Sequence, residues 1–228
     1  MPDVNPKDNQ NNISLSLKLE DPVYDADNGI AAALDGKIYT SVKRNHYLIE
    51  AYRWIANAIT EKFGVEMAAE KLSGLVATQS FTMSSSGTTI NQDVLHPFRV
   101  TTSGSIIYFR DKKAALDFDV KKFALRGFAI EGDKVYVYLR TAGTLTLQNS
   151  GTATLYYIKS DRIDYSSGSE VAVNTAPDIT LNAWANDACT YYAAGVAILD
   201  QASSIVEPDP SMIEVGNRFI AMALQRLP

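Results

Sequence analysis

The period of the hydrophobic pattern changes twice along this chain, and that change limits its fold more than any motif does. From Ser41 to Phe63 apolar residues recur at helical spacing: Leu48, Tyr52, Ile55 and Ile59, widened by Ile49, Ala56 and Phe63. From Leu75 to about Ser160 the pattern turns to strand period. Helical spacing then returns at Leu181 and again at Met212. A chain ordered helix, strands, helices implies an α+β fold, with a helical bundle built from both chain ends and an antiparallel β-sheet or sandwich domain inserted between them. The expected boundaries are an N-terminal arm with one strand over residues 1–24, a helical domain from 25–74 and 177–228, and a β domain over 75–176.

Local signals fill in this outline. Thr40 or Ser41 is placed to cap the first helix, and Gly64 stands where a left-handed C-terminal cap belongs. Residues 66–72 add a short helical turn. Strands are expected over 98–102, 105–109, 123–131, 134–140, 144–148 and 153–159. Gly132-Asp133 between two β-rich runs predicts a two-residue hairpin, with Val135, Val137 and Leu139 on one face and Tyr136 and Tyr138 on the other. Asn149-Ser150-Gly151 marks another turn, and 84–89 and 166–169 read as loops. Thr180 is the expected cap of an Ala-rich helix that includes Gly195, whose small residues admit a close neighbour. Asp209 as cap with Pro210 in the first turn starts the last helix. The polar start (MPDVNPKDNQNN) reads as a flexible arm, and the alternating Ile13–Leu19 as a strand seeking a partner edge. Gly29–Leu34 reads as a short helix.

Charge narrows the function. The net charge is −5, and residues 1–40 and 177–228 each carry −4, which leaves +3 for the middle. That balance disfavours a phosphate-neutralising nucleic-acid binder. Cys189 is the single cysteine, which rules out an intramolecular disulfide. No run approaches the roughly 18 apolar residues of a membrane span, and no secretory leader is visible, so cytoplasmic synthesis is expected.

No catalytic constellation emerges. His46 and His96 are the only histidines. His46 has Glu50 at i+4 on a helix surface, and His96 before Pro97 reads as a loop residue. There is no Gly-x-Ser-x-Gly elbow, phosphate loop or dinucleotide turn. Asp25, Asp27 and Gly29 only approximate a calcium loop, since no Glu follows at the twelfth position. Asp117 and Asp119 alternate as on a solvated strand face. Tyr136, Tyr138, Tyr156 and Tyr157 read as packing residues, with a stacking platform for sugars or bases as the sharper alternative. The expectation is a non-enzyme without cofactor, metal or catalytic residues.

Three stretches carry a family resemblance: KRNHYLIEAYRWIANAITEKFG (Lys43–Gly64), ATLYYIKSDRIDYSS (Ala153–Ser167) and PDITLNAWANDACTYYAAGVAILDQ (Pro177–Gln201). Their order and residue types resemble the head-to-tail adaptor (connector or neck) proteins of tailed bacteriophages. The N-terminal arm and the β region are both larger than that pattern, which keeps another tail component (completion, tube or fibre-attachment protein) as the alternative. The resemblance implies a virion structural protein located at the neck: a ring of about twelve copies below the portal protein that extends the DNA channel and supports the tail. Its partners would be the portal, other neck or tail proteins and itself, with passing DNA not specifically bound and no membrane. Acidic patches suit a channel wall that must not hold DNA. Met212, Ile213, Phe219, Ile220, Leu224 and Leu227 on the last helix, set off by Pro208 and Pro210, are the candidate portal or subunit interface. On this reading the segment after Glu207 is removable without loss of fold. A monomeric sugar-binding module using Tyr136 and Tyr156, and a hydrolase depending on His46 or His96, are the rivals from other classes.

Overall fold

A computed structural model describes residues 41–91, 93–102, 105–108, 125–141, 144–160, 179–204 and 210–228. The arm, Ile13–Leu19, Asp25, Asp27, Gly29–Leu34, the Thr40 and Asp209 caps, Asp117, Asp119 and the loop at 166–169 fall outside these residues. The fold is α+β, with helices and antiparallel sheets. The described residues form two compact units. One lies within Met1–Gly64, Glu70–Leu75 and Ser160–Pro228, the other within Val65–Ala69 and Val76–Lys159.

The helical unit is built on α1 (Ser41–Phe63), α3 (Ala183–Ser204) and α4 (Pro210–Gln225). The apolar spacing of α1 works as read: Leu48, Tyr52, Ile55, Ala56 and Ile59 are fully buried. Gly64 ends α1 with φ +81°, and its N–H donates to Thr60 O at 2.8 Å. Only glycine adopts that conformation freely. The short α2 (Val65–Lys71) follows. α3 is central and packs against both α1 and α4. It runs antiparallel to α1: Tyr47 near the start of α1 donates to Asp200 near the end of α3 at 2.6 Å.

The start of α3 differs from expectation. Thr180 precedes the helix without capping it, and Asn182 holds the cap position, with Asn186 N–H donating to its carbonyl at 3.0 Å. The Asn182 side chain donates to Lys71 O at 3.2 Å, which ties the start of α3 to the end of α2. Thr180 and Asn182 flank Leu181 equally, and Asn is the stronger cap type of the two.

The other unit is a two-sheet sandwich. One sheet has the order β1 (Val76–Thr82), β8 (Thr152–Lys159), β3 (Val94–Thr102), β4 (Ser105–Tyr108). The second is built on β6 (Lys134–Thr141), with β5 (Leu125–Glu131) on one edge and β2 (Thr88–Thr89) and β7 (Thr144–Leu147) on the other. Phe81, Val100, Ala153, Leu155 and Tyr157 from the first sheet meet Phe128, Val135 and Val137 from the second in one core. The Gly132 hairpin forms as expected, with φ +64° and Glu131 paired to Lys134. Gly151 turns with φ +92°.

Three features were not anticipated. β1 went unread because its residues are mostly exposed or half-buried, with only Phe81 buried, so no clean alternation shows. β2 lies inside the stretch read as a loop. There the Gln79 side chain donates to Thr89 O at 3.0 Å and accepts from Asn91 N–H at 2.8 Å. Third, His96 sits in strand β3 and not in a loop, with register shifts on both sides of Pro97. Those irregularities let a residue without an N–H sit in a strand.

Candidate functional site

α4 is held to α3 by a glycine seam. A Cβ on Gly195 would lie 2.8 Å from Gly216 O, and a Cβ on Gly216 would lie 2.7 Å from Leu199. The two helices therefore approach backbone to backbone. Phe219 stacks at a tilt against Tyr191, centroids 6.1 Å apart, and Arg226 sits 5.7 Å above the same ring.

This packing divides the six interface candidates. Phe219, Ile220, Met212 and Leu227 are half-buried, while Ile213 and Leu224 are exposed at 39% and 54%. Val215, which sequence reasoning passed over, is 37% exposed. Ile213, Val215 and Leu224 are three of the four exposed large apolar side chains among the described residues; the fourth is Met67. Scattered exposed apolar residues need no explanation, but three on one short helix do. At about 100° per residue, Ile213 and Leu224 stand on one side of the buried Gly216–Ala223 stripe and Val215 and Met222 on the other. One helix thus has a buried stripe flanked by two apolar edges.

α4 is also not a detached element. Removing it would bare the α3 face around Gly195 and Leu199. The expectation that residues after Glu207 are removable without loss of fold is therefore corrected: exposed single positions, not truncation, isolate the surface.

A second surface lies on α1. Trp54 stacks flat on Tyr192 of α3, centroids 4.4 Å apart and planes 11° from parallel. Beside the pair an open cleft of about 520 Å³ is walled by α1 side chains, among them Glu50, Arg53, Ala58 and Glu61. Burial raises the Tyr192 hydroxyl pKa, and the Glu50 carboxylate adds to the rise. His46 lies 3.3 Å from Glu50 at i,i+4, as the spacing implied. Tyr191 and Tyr192 are successive residues, about 100° apart round α3, so α4 and α1 rest on neighbouring sides of it. Lys62 near the end of α1 donates to Pro228 O beyond α4.

The sandwich tyrosines do not make a shared platform. Tyr138 and Tyr157 are buried, Tyr157 within the inter-sheet core. Tyr136 covers Gly87 and Tyr138 covers Gly127 in the second sheet, while Tyr156 belongs to the first, with the Arg99 guanidinium 4.2 Å above its ring. Cys189 is fully buried, its thiol pKa pushed up by burial, and its Sγ lies 3.7 Å from Ala51 O. Among the described residues no group of His, Cys, Asp and Glu could hold a metal ion, and no helix is long and apolar enough to cross a membrane. Comparison with known protein families and with curated proteins finds no match.

Proposed function

We propose that this protein is a virion structural component of a tailed bacteriophage: a head-to-tail adaptor that forms a ring below the portal, extends the DNA channel and seats the tail. The observation that carries the reading is the concentration of exposed apolar side chains on α4, a helix otherwise fixed by its glycine seam. A rigid helix with an uncovered apolar edge suits docking on a preformed partner. In this reading the Ile213–Leu224 edge meets the portal. The order of the three family-like stretches and the acidic chain ends support the same role.

The test mixes purified protein with portal rings from the same source and images them by electron microscopy. Added density below the portal, following its rotational symmetry, is expected. Ile213→Asp and Leu224→Asp should each remove it while circular dichroism stays unchanged. Binding to tail tubes or fibres instead would move the protein to another tail position.

A further inference from the structure

We infer that copies of this chain associate head to tail, with the Val215–Met222 edge of α4 in one copy lying in the α1 cleft of the next. Among the described residues both surfaces are open: Val215 is exposed, and no α4 residue lines the cleft. The glycine seam fixes α4 in place, so one chain cannot bring its own two surfaces together.

The chemistry of the surfaces matches. Glu214 and Arg218 are four residues apart on the exposed side of α4, and Glu50 and Arg53 are three apart on α1. Along a helix these separations are about 6 and 4.5 Å. Laid antiparallel, Arg218 meets Glu50 and Glu214 meets Arg53, which places Val215 beside Trp54. The parallel direction can oppose Glu214 to Arg53 with Val215 beside Trp54, but it then sets Arg218 level with Asn57, so only the antiparallel direction makes both charge pairs. Stacking on Tyr192 fixes Trp54 beforehand, so little side-chain freedom is lost on contact. Val215 and Met222 stand at i and i+7, the outer two anchor positions of a helix read in a groove.

Because the two surfaces differ, the contact is heterologous, and repeating it yields either a closed ring or a filament. Closure into a ring rests on the adaptor reading; the contact itself does not. It also leaves the Ile213–Leu224 edge free, so portal binding and self-association are separable.

Cysteine pairing tests the contact, and the buried Cys189 keeps the background silent. Full-length Glu50→Cys and Arg218→Cys variants, mixed under mild oxidation, should give a covalent dimer that neither gives alone. In sedimentation, Arg218→Glu should weaken self-association roughly tenfold, and adding Glu50→Arg to the same chain should restore it. The inference is overturned if the mixture stays uncrosslinked, if one variant links to itself, if Arg218→Glu sediments like the parent, or if the parent stays monomeric at its highest concentration. Loss of portal binding in Ile213→Asp with self-association intact would separate this contact from the portal contact.

Discussion

Tyr157 shows what one polar group does inside an apolar sandwich. Its ring is buried between the sheets, and its hydroxyl reaches Asp93, with Oδ1 at 3.2 Å and Oδ2 at 3.3 Å. It also accepts from the Asn91 side chain at 3.4 Å. These bonds are long, so Tyr157→Phe should cost only about 1 kcal/mol, read by urea unfolding. The pH response is more diagnostic. Burial, and then the Asp93 charge, raise the hydroxyl pKa in the folded protein, against the lowering effect of Asn91. The folded state therefore holds this proton more tightly than the unfolded state. The resulting stability is complete below the ordinary tyrosine value of about 10 and is lost as pH rises through the raised value. Tyr192 and Cys189 contribute with the same sign. Stability measured between pH 9 and 11.5 should fall in the parent and fall less steeply in Tyr157→Phe. Equal slopes would remove Tyr157 from the alkaline response.

At the scale of elements, the α3–α4 seam and the α1 terminus depend on glycine for different reasons. A methyl group at Gly195 would press on the Gly216 carbonyl and on Ile220, so Gly195→Ala should destabilise by about 1–3 kcal/mol as the helices part. At Gly64 a methyl group would meet nothing, yet the positive φ remains. Gly64→Ala should therefore cost about 1–2 kcal/mol through backbone strain alone. Thermal unfolding checks both, and only Gly195→Ala should also loosen α4 in hydrogen exchange. These elements also separate what was legible in the chain from what was not. Gly64 and Gly132 were readable because a turn needing positive φ leaves a local mark. α1 was readable because one face of it is buried from Leu48 to Ile59. The Gly195–Gly216 contact joins residues on different helices, and a single sequence carries no sign of which small residues meet. The interface candidates suffered in the same way. Apolar spacing marked Phe219 and Ile220 together with Ile213 and Leu224, but only packing distinguishes the residues α3 covers from those it leaves open. The Trp54–Tyr192 cleft was missed for that reason too, since its two rings come from helices far apart in the chain.

For the molecule as a whole, the pairing of β1 with β8 explains how a sandwich interrupts a helical chain. Val76 lies opposite Ile158 in an antiparallel register, so the first and last strands of the insert are neighbours. The chain therefore enters and leaves the sandwich about 5 Å apart, one strand spacing. An insert whose ends meet leaves the helical chain little gap to span, which is the condition under which inserted domains are tolerated. The sandwich core is closed by its own two sheets, and the helical unit has its own buried stripe and seam. Each should therefore fold without the other. Residues 76–159 expressed alone should unfold cooperatively, with dispersed amide signals in NMR. In the complementary chain, Leu75 joined to Ser160 through a short Gly-Ser linker should keep helical circular dichroism and protect the amides of α3. If the spliced chain collapses while residues 76–159 fold, the helical unit draws stability from the sandwich. If the reverse holds, the first and last strands need the helices to hold their ends together, and the adjacency of Val76 and Ile158 is a consequence of the helical frame and not its precondition.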